Sequence, residues 1–285
     1  MNFRTEPLAP GLYFVGTPIG TARDITLRAL DVLASADVLA AEDTRSLRHL
    51  MDIHGVPLNG RSVISYHDHS SEGSRDRLMA ALADGRSVAY ASEAGMPLIA
   101  DPGYALSRAA SEAGFRVSCA PGPSAVLTAL ALGGLPTDAF FFAGFLPNSK
   151  SARIAALEKL RDVPGTLVFY ESPKRLGAML RDAATALGAG RKAAMCRELT
   201  KKFEEIQRDT LESLAETYQG QSPKGEVVVL IDRSRSESVN HLDLETDLQR
   251  ALKEMSMRDA VDLVAQAHGL PRRQVYQAAL ALGKS

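Results

Sequence analysis

Within its first 120 residues the chain repeats one pattern five times: a short apolar run, an abrupt break, then a helical period. The runs are residues 12–15, 38–41, 63–65, 88–91 and 116–119. Short apolar strands alternating with helices predict a parallel, doubly wound sheet. Such sheets place their ligands at the carboxyl ends of the strands. The fourth run ends there in Ser92-Glu-Ala-Gly95 and a turn holding Pro97, Pro102 and Gly103. One strand–helix unit later comes a second irregular loop, Cys119-Ala-Pro-Gly-Pro-Ser-Ala125. Two such loops at successive strand ends predict one shared pocket; the alternative is a pair of ordinary strand-to-helix connections.

The helices between these strands are less sharply marked. Asp24 or Thr26 caps the first, whose apolar positions include Leu27, Leu30 and Leu33. After the helix at 124–132, closed by Gly133-Gly134, the rhythm changes. Strands at 140–143, 166–170, 193–197, 204–208 and 227–231 have fewer long crossovers between them, which predicts a mixed sheet. A polar linker at 234–238 leads to helical patterns at 244–255, 256–268 and 271–282, with Gly269-Leu-Pro271 as a tight turn. The expected organisation is therefore α/β: an N-terminal α/β domain at 1–121, a C-terminal α/β domain at 122–234, and a small helical module at 240–285. That module reads either as a helix-turn-helix-like nucleic-acid element or as helices packed on the main body.

Bulk properties exclude several classes. No apolar stretch approaches the ~20 residues needed to span a bilayer, and the start of the chain lacks the form of a signal peptide. The cytoplasm is the expected compartment, and no membrane partner is expected. Cys119 and Cys196 form neither a zinc framework nor a disulfide scaffold, and both are expected to be small buried hydrophobes. The net charge of −1 conceals an asymmetry: between residues 150 and 208 thirteen Lys and Arg face seven acids. A locally basic lobe suits an anionic partner on one side; solvated helix faces are the alternative.

Two phosphate-like motifs fail on context. Gly188-Ala-Gly190 lies between a helix and a following strand, whereas a dinucleotide fingerprint follows a strand and opens a helix. Gly144-Phe-Leu-Pro-Asn-Ser-Lys150-Ser151 has Ser149 where a P-loop needs its second glycine, and Pro147 removes an amide from the cradle. His67 and His69 lie on one face of a strand end but lack a third ligand, so no metal is expected. A hydrogen-bonding or proton-handling role suits an imidazole there better. Glu42-Asp43-Thr44-Arg45 sets two carboxylates and a guanidinium at another strand end, as part of a site or as a helix cap with a surface ion pair.

Taken in order, the blocks Leu12-Tyr-Phe-Val-Gly-Thr-Pro-Ile-Gly20, Ala41-Glu-Asp-Thr-Arg45, Ser65-Tyr-His-Asp-His69 and the stretch 92–103 form one series. Pro121-Gly-Pro-Ser-Ala125, Gly144-Phe-Leu-Pro147, Tyr170-Glu-Ser-Pro-Lys-Arg175, Arg197-Glu-Leu-Thr-Lys201 and Lys224-Gly-Glu226 continue it. The series resembles the ribosomal RNA small-subunit methyltransferase I family, a branch of the tetrapyrrole methylase-like, class III S-adenosylmethionine enzymes. That resemblance implies methylation of a cytidine 2′-hydroxyl in the decoding centre of 16S rRNA within the 30S subunit, by a homodimer. It implies S-adenosylmethionine held on Pro18 and Ile19, on the turn containing Ser92, Gly95, Met96 and Ile99, and on Ser124 and Ala125. The second lobe would close over it with Tyr170, Leu199 and Glu226. Glu93 and Met96 stand where the family usually shows Asp and Thr, and Phe203 where Trp is common. Loop backbone can make most cofactor contacts, so binding is expected to survive these departures.

Methyl transfer from a sulfonium is an in-line displacement needing no metal; alignment and a dry cleft are what the protein supplies. A ribose hydroxyl is a poor nucleophile and gains from a proton acceptor. His67, Glu42 and Asp43 are the candidates, with Arg45 placing a phosphate. Lys174, Arg175, Lys201 and Lys202 are assigned to RNA backbone contact. A small-molecule tetrapyrrole methylase and a non-enzymatic RNA-binding module are the alternative functions.

Overall fold

The structure, a computed structural model, describes residues 2–67, 72–234, 241–268 and 270–282. The chain divides into two compact units, residues 1–233 and 234–285. Two sheets build the first unit. Strands β1 (Gly11–Val15), β2 (Val38–Ala41), β3 (Val63–Ser65), β4 (Ser87–Ala91) and β5 (Val117–Ala120) lie in the order β3-β2-β4-β1-β5, every pair parallel.

Helices α1 (Leu27–Ser35) and α2 (Thr44–Ile53) cover one face of this sheet, α3 (Glu72–Ala83) and α4 (Tyr104–Glu112) the other. Successive strand residues point to opposite faces. Tyr13 and Val15 therefore pack toward α1 and α2, while Leu12 and Phe14 pack toward α3 and α4. With both faces covered, β1 and β4 are buried along their whole length, and this is why they read as unbroken apolar runs. At the sheet edge β5 is less covered. Cys119 is accordingly only half-buried, against expectation, whereas Cys196 on an interior strand of the second sheet is buried. Thr26 caps α1, its hydroxyl accepting from the Ala29 N–H at 3.2 Å, and Asp24 closes a short 3-10 turn, Ala22–Asp24, just before it.

The second sheet is mixed. Strands β6 (Phe140–Phe145), β7 (Thr166–Glu171), β8 (Lys192–Arg197), β9 (Glu205–Thr210) and β10 (Val227–Ile231) lie in the order β6-β7-β10-β8-β9. Only β6 and β7 run parallel. One face carries α6 (Lys150–Glu158), α7 (Leu176–Leu187) and α8 (Leu211–Thr217). The other carries α5 (Ala125–Gly133), whose Val126, Ala129 and Leu130 meet Val168, Ala194 and Leu230. Ile19 of the first lobe enters that same cluster beside Leu199, so the two lobes share apolar surface.

Arginines account for much of the basic excess, and the fold uses them internally. Arg153 and Asp182 form a buried pair at 2.7 Å, and Arg153 also reaches the Asn148 carbonyl at 3.0 Å. Arg161 donates to the Ala186 carbonyl, Arg191 to that of Asp232 and Arg208 to that of Leu132. Lys150, Lys174, Lys192 and Lys202 remain exposed.

The second unit is helical: α9 (His241–Glu254), α10 (Met257–His268) and α11 (Arg272–Leu282). Leu244, Leu248, Val261, Val264 and Val275 form its own small core. Gly269 of the expected turn lies outside the described residues, as does most of the 234–238 linker. No helix among the described residues is long and apolar enough to cross a membrane.

Candidate active site

At the carboxyl edge of the first sheet three turns meet rather than two. The loops after β4 and β5 are not on neighbouring strands, because β1 lies between them. The turn after β1 binds both. Thr17 and Gly95 exchange backbone hydrogen bonds at 2.9 and 3.1 Å, joining it to the β4 loop. On the other side Gly16 packs so closely on Gly122 that a Cβ built on Gly16 would stand 2.7 Å from the Gly122 Cα and N. Only glycine permits that approach. Met96 completes the lacing, its sulfur accepting from the Gly122 N–H at 3.2 Å. Ser92 is buried beneath, its hydroxyl donating to the Gly95 carbonyl at 3.1 Å.

Beyond these turns lies a cleft of about 670 Å³, open toward the second sheet. The first lobe lines it with Pro18, Ile19, Gly95, Met96, Ile99, and Ser124 and Ala125 at the start of α5. Backbone in the β4 loop is strained, with Leu98 (φ 72°) and Ala100 (φ 60°) both in the left-handed region. Such conformations cost about 1–3 kcal/mol each and persist where the surroundings hold a functional geometry.

The opposite wall comes from the second sheet: Tyr170 and Glu171 at the end of β7, Cys196 on β8, Leu199, Lys201, and Gly225-Glu226 before β10. Glu198 and Thr200 repeat the left-handed strain (φ 51° and 61°) on this side. Here side chains do the fastening. The Lys201 ammonium donates to Glu198 at 3.0 Å and to Glu226 at 2.8 Å, and the Glu226 N–H donates to Glu198 at 3.0 Å. Burial alone would depress the Lys201 pKa, but its bonds to Glu226 and Glu198 carry it above the ordinary value. Arg175 donates to the Leu146 carbonyl at 2.6 Å and lies 3.2 Å from Glu171, tying the β6–α6 loop to the end of β7. Phe145, the last residue of β6, also lines the cleft, packed edge-on to Tyr170 at 5.7 Å.

Burial sets the protonation of several groups here. It pushes the Glu171 carboxyl up, against the pull of the Ser172 N–H and of Arg175. The Cys196 thiol is raised to about 11 by burial, which leaves it neutral at physiological pH. Burial also lifts the Tyr170 phenol to about 12, reinforced by the Asp101 and Glu226 carboxylates.

Most residues expected to hold a cofactor therefore converge on one cleft, with Ser92 supporting it from below. The expected proton-handling group is divided. Glu42 lines the cleft, its carboxylate accepting from the Glu93 N–H at 3.2 Å. Asp43 instead caps α2, accepting from the Arg45 and Ser46 amides, while the Arg45 side chain is 89% exposed in an ion pair with it. His67, exposed after β3, is not among the lining residues, and His69 lies outside the described residues. Lys174 and Lys202 are exposed, whereas Lys201 lines the cleft and Arg175 lies behind it, paired with the lining Glu171. Sequence reasoning passed over Asp101, Glu171 and Cys196 as lining residues. A carboxylate set between the turn prolines Pro97 and Pro102 was the available signal for Asp101.

Residues 11–215 match the family model described as Tetrapyrrole (Corrin/Porphyrin) Methylases, and residues 240–283 match the RsmI C-terminal HTH domain. The ribosomal RNA small subunit methyltransferase I of Mesorhizobium japonicum is 46% identical, over 97% of this chain and 94% of its own length. That of Escherichia coli O157:H7 is 41% identical, over 94% of each. Among solved structures, uroporphyrin-III C-methyl transferase from Thermus thermophilus, complexed with S-adenyl homocysteine, shares the fold with a TM-score of 0.53 at 20% identity, covering 77% of this chain and 96% of that one. A match along nearly the whole chain, on two lobes of this topology and a helical tail, means that the chain belongs to the ribosomal RNA small subunit methyltransferase I family, a branch of the tetrapyrrole methylases.

Proposed function

We propose that this protein transfers the methyl group of S-adenosylmethionine to the 2′-hydroxyl of a cytidine in the decoding centre of 16S rRNA. The observation that carries the reading is the cleft itself: one cavity walled by three laced turns of a parallel sheet and closed by a second lobe. Its volume lies within the range of about 300–1,000 Å³ typical of cofactor sites. The lining fits the methyl donor chemically. Ile19, Ala125, Leu199 and Val228 offer apolar surface to a nucleobase, and the carboxylates of Glu42, Glu93, Asp101 and Glu226 suit a molecule carrying a sulfonium and an ammonium. When bound, the donor supplies an electrophilic methyl group; the chain supplies alignment and water exclusion.

The rRNA-methylating relatives, rather than the tetrapyrrole enzymes that share the fold at low identity, match the chain from end to end. An rRNA substrate places the work in the cytoplasm, on the 30S particle. The exposure of Lys174 and Lys202 supports phosphate contact there, and α11, which has no acid and opens with Arg273 beside the Asp262-paired Arg272, is offered as a further RNA-contacting surface. A homodimer is supported by the exposed Phe140, Phe141 and Phe145 on the edge strand β6. Tritium-methyl transfer to 30S particles from cells lacking the protein, followed by nucleoside mapping, tests the reading. Label in a single 2′-O-methylcytidine is the expected result; label in another nucleoside, or none, overturns it. Light scattering tests the dimer by its mass.

A further inference from the structure

Resting on the methyltransferase reading above, we propose that Phe145 is the platform on which the base of the target cytidine stacks, so that it positions the substrate rather than the cofactor. A ribose hydroxyl reaches the donor only when its nucleotide enters the cleft, and a nucleotide that does so leaves the stacking of its neighbours. Its base then needs a π face on the wall, which proteins that bind unstacked RNA supply with aromatic side chains.

An irregularity in the backbone aims Phe145 at the cleft. Along β6 the pairing with β7 is regular as far as Phe142, opposite Val168, but the next pair is Gly144 with Phe169, which leaves Ala143 as an extra residue. A bulge of this kind reverses the face that the following side chains take. Ala143 and Leu146 accordingly both pack on the face that carries α6, α7 and α8. On the opposite face Phe142 and Phe145 both meet Tyr170, with ring centroids 5.0 and 5.7 Å away. In an unbroken strand Phe145 would have shared the side of Ala143, facing the core. Gly144 makes the turn at φ 65°, and a Cβ there would meet nothing, so backbone conformation and not crowding calls for glycine.

The mount behind the ring is fixed. Leu146 is buried, and Arg175 donates to its carbonyl at 2.6 Å and to that of Pro147 at 3.1 Å. Yet the ring itself is 60% exposed. Of the large apolar side chains lining the cleft, only Phe145 and Ile99 are exposed, and Ile99 belongs to the turn expected to hold the cofactor. Ile19, Leu199 and Val228, the apolar surface offered to the donor, are buried. Phe145 stands on the edge strand, two strands from the β10 that carries Val228, on the side where a substrate arrives from solvent. Phe140 and Phe141 precede the bulge, are not among the lining residues, and leave β6 an apolar edge for a partner subunit.

The test compares Phe145→Ala, Phe145→Leu and Phe145→Tyr in the full chain, with 30S particles as substrate. Loss of one stacking contact should lower kcat/KM of Phe145→Ala by about 10- to 100-fold, mostly through KM. Phe145→Leu keeps apolar packing on Tyr170 without a π face and should stay at least about fivefold below the parent, whereas Phe145→Tyr should come within about threefold of it. The deficit of Phe145→Ala should be equal at low and high salt, because stacking, unlike a phosphate contact, releases no counterions. Calorimetry with S-adenosylmethionine should give a Kd within about threefold of the parent for all three, which also reports an intact cleft. Parental activity in Phe145→Ala, or a recovery in Phe145→Leu equal to that in Phe145→Tyr, overturns the proposal. A rise in cofactor Kd that matches the loss of kcat/KM would assign the ring to the donor, and a lower mass by light scattering would assign it to the dimer surface; either result overturns the proposal as well. Failure of the parent protein to methylate 30S particles would instead strike the function proposed above.

Discussion

The two walls of the cleft are built on different principles. In the first lobe, main chain binds main chain through the Thr17–Gly95 bridge and the close contact of Gly16 with Gly122, with the uncharged Met96 sulfur added between the turns. In the second lobe, charged side chains hold the loops: Lys201 between Glu198 and Glu226, Arg175 across the β6–α6 loop, Arg153 against Asp182. A parallel sheet brings its strand ends to one edge, where short turns can touch directly. A mixed sheet sends its connections both ways, and longer loops need side-chain anchors. The first wall should therefore respond to volume and be nearly indifferent to salt and pH, and the second the reverse.

The strongest way to break this contrast is Gly122→Ala. A Cβ there would stand 2.9 Å from the Gly16 Cα and 3.0 Å from its carbonyl carbon, both backbone atoms that cannot move aside cheaply. Cofactor affinity measured by calorimetry should fall by about 100-fold or more, at a cost typical of overpacking a fixed site, ~1–3 kcal/mol or above. Binding within a few-fold of the parent would show that the turns are not rigidly laced.

Next comes Asp182→Ala, which leaves the Arg153 guanidinium buried without its partner. Removing one member of a buried pair costs about 3–5 kcal/mol, so denaturant unfolding should shift markedly while cofactor affinity of the folded fraction changes little. Lys201→Met is milder, because Glu198 still accepts the Glu226 amide. Affinity for the cofactor should weaken by about threefold at low salt, and the difference should shrink as salt rises. A loss independent of salt would argue against an electrostatic second wall.

The smallest effect concerns α2, outside the cleft. Hydrogen bonds from the Arg45 side chain and amide, and from the Ser46 amide, hold the Asp43 carboxyl down, from 3.8 to about 2. A depressed carboxylate stabilises the folded state above its unfolded pKa, so this contribution is complete above about pH 4 and is lost as pH falls toward 2. Arg45→Ala should leave methylation of 30S particles near the parental rate if Arg45 serves only that cap. A steep loss that depends on salt would return Arg45 to the RNA-contacting surface.

Much of this molecule could be read from residue order. The unbroken apolar runs of β1 and β4 follow from burial on both faces, and the Gly-Pro clusters after β4 and β5 mark loops that helices and strands cannot absorb. The convergence of Pro18, Gly95 and Ser124 was visible through the motif series. Harder to see were roles that depend on what a side chain meets. Asp43 and Glu42 are adjacent in sequence, yet one caps a helix and the other lines the cleft, because successive residues leaving a strand point different ways. Arg175 and Lys201 look like phosphate binders in a list of charges, and only the structure adds that they also pair with Glu171, Glu198 and Glu226.

Local periodicity and turn chemistry thus determined that the chain has two α/β lobes and a helical tail, since burial and backbone geometry leave a direct trace in residue type. Strand order did not leave such a trace. That β1 separates β4 from β5, so that three turns and not two enclose the cleft, was decided by packing between residues far apart in the chain. The same holds for Asp101 and Tyr170, 69 positions apart in sequence and brought to one cavity only by the closing of one lobe on the other.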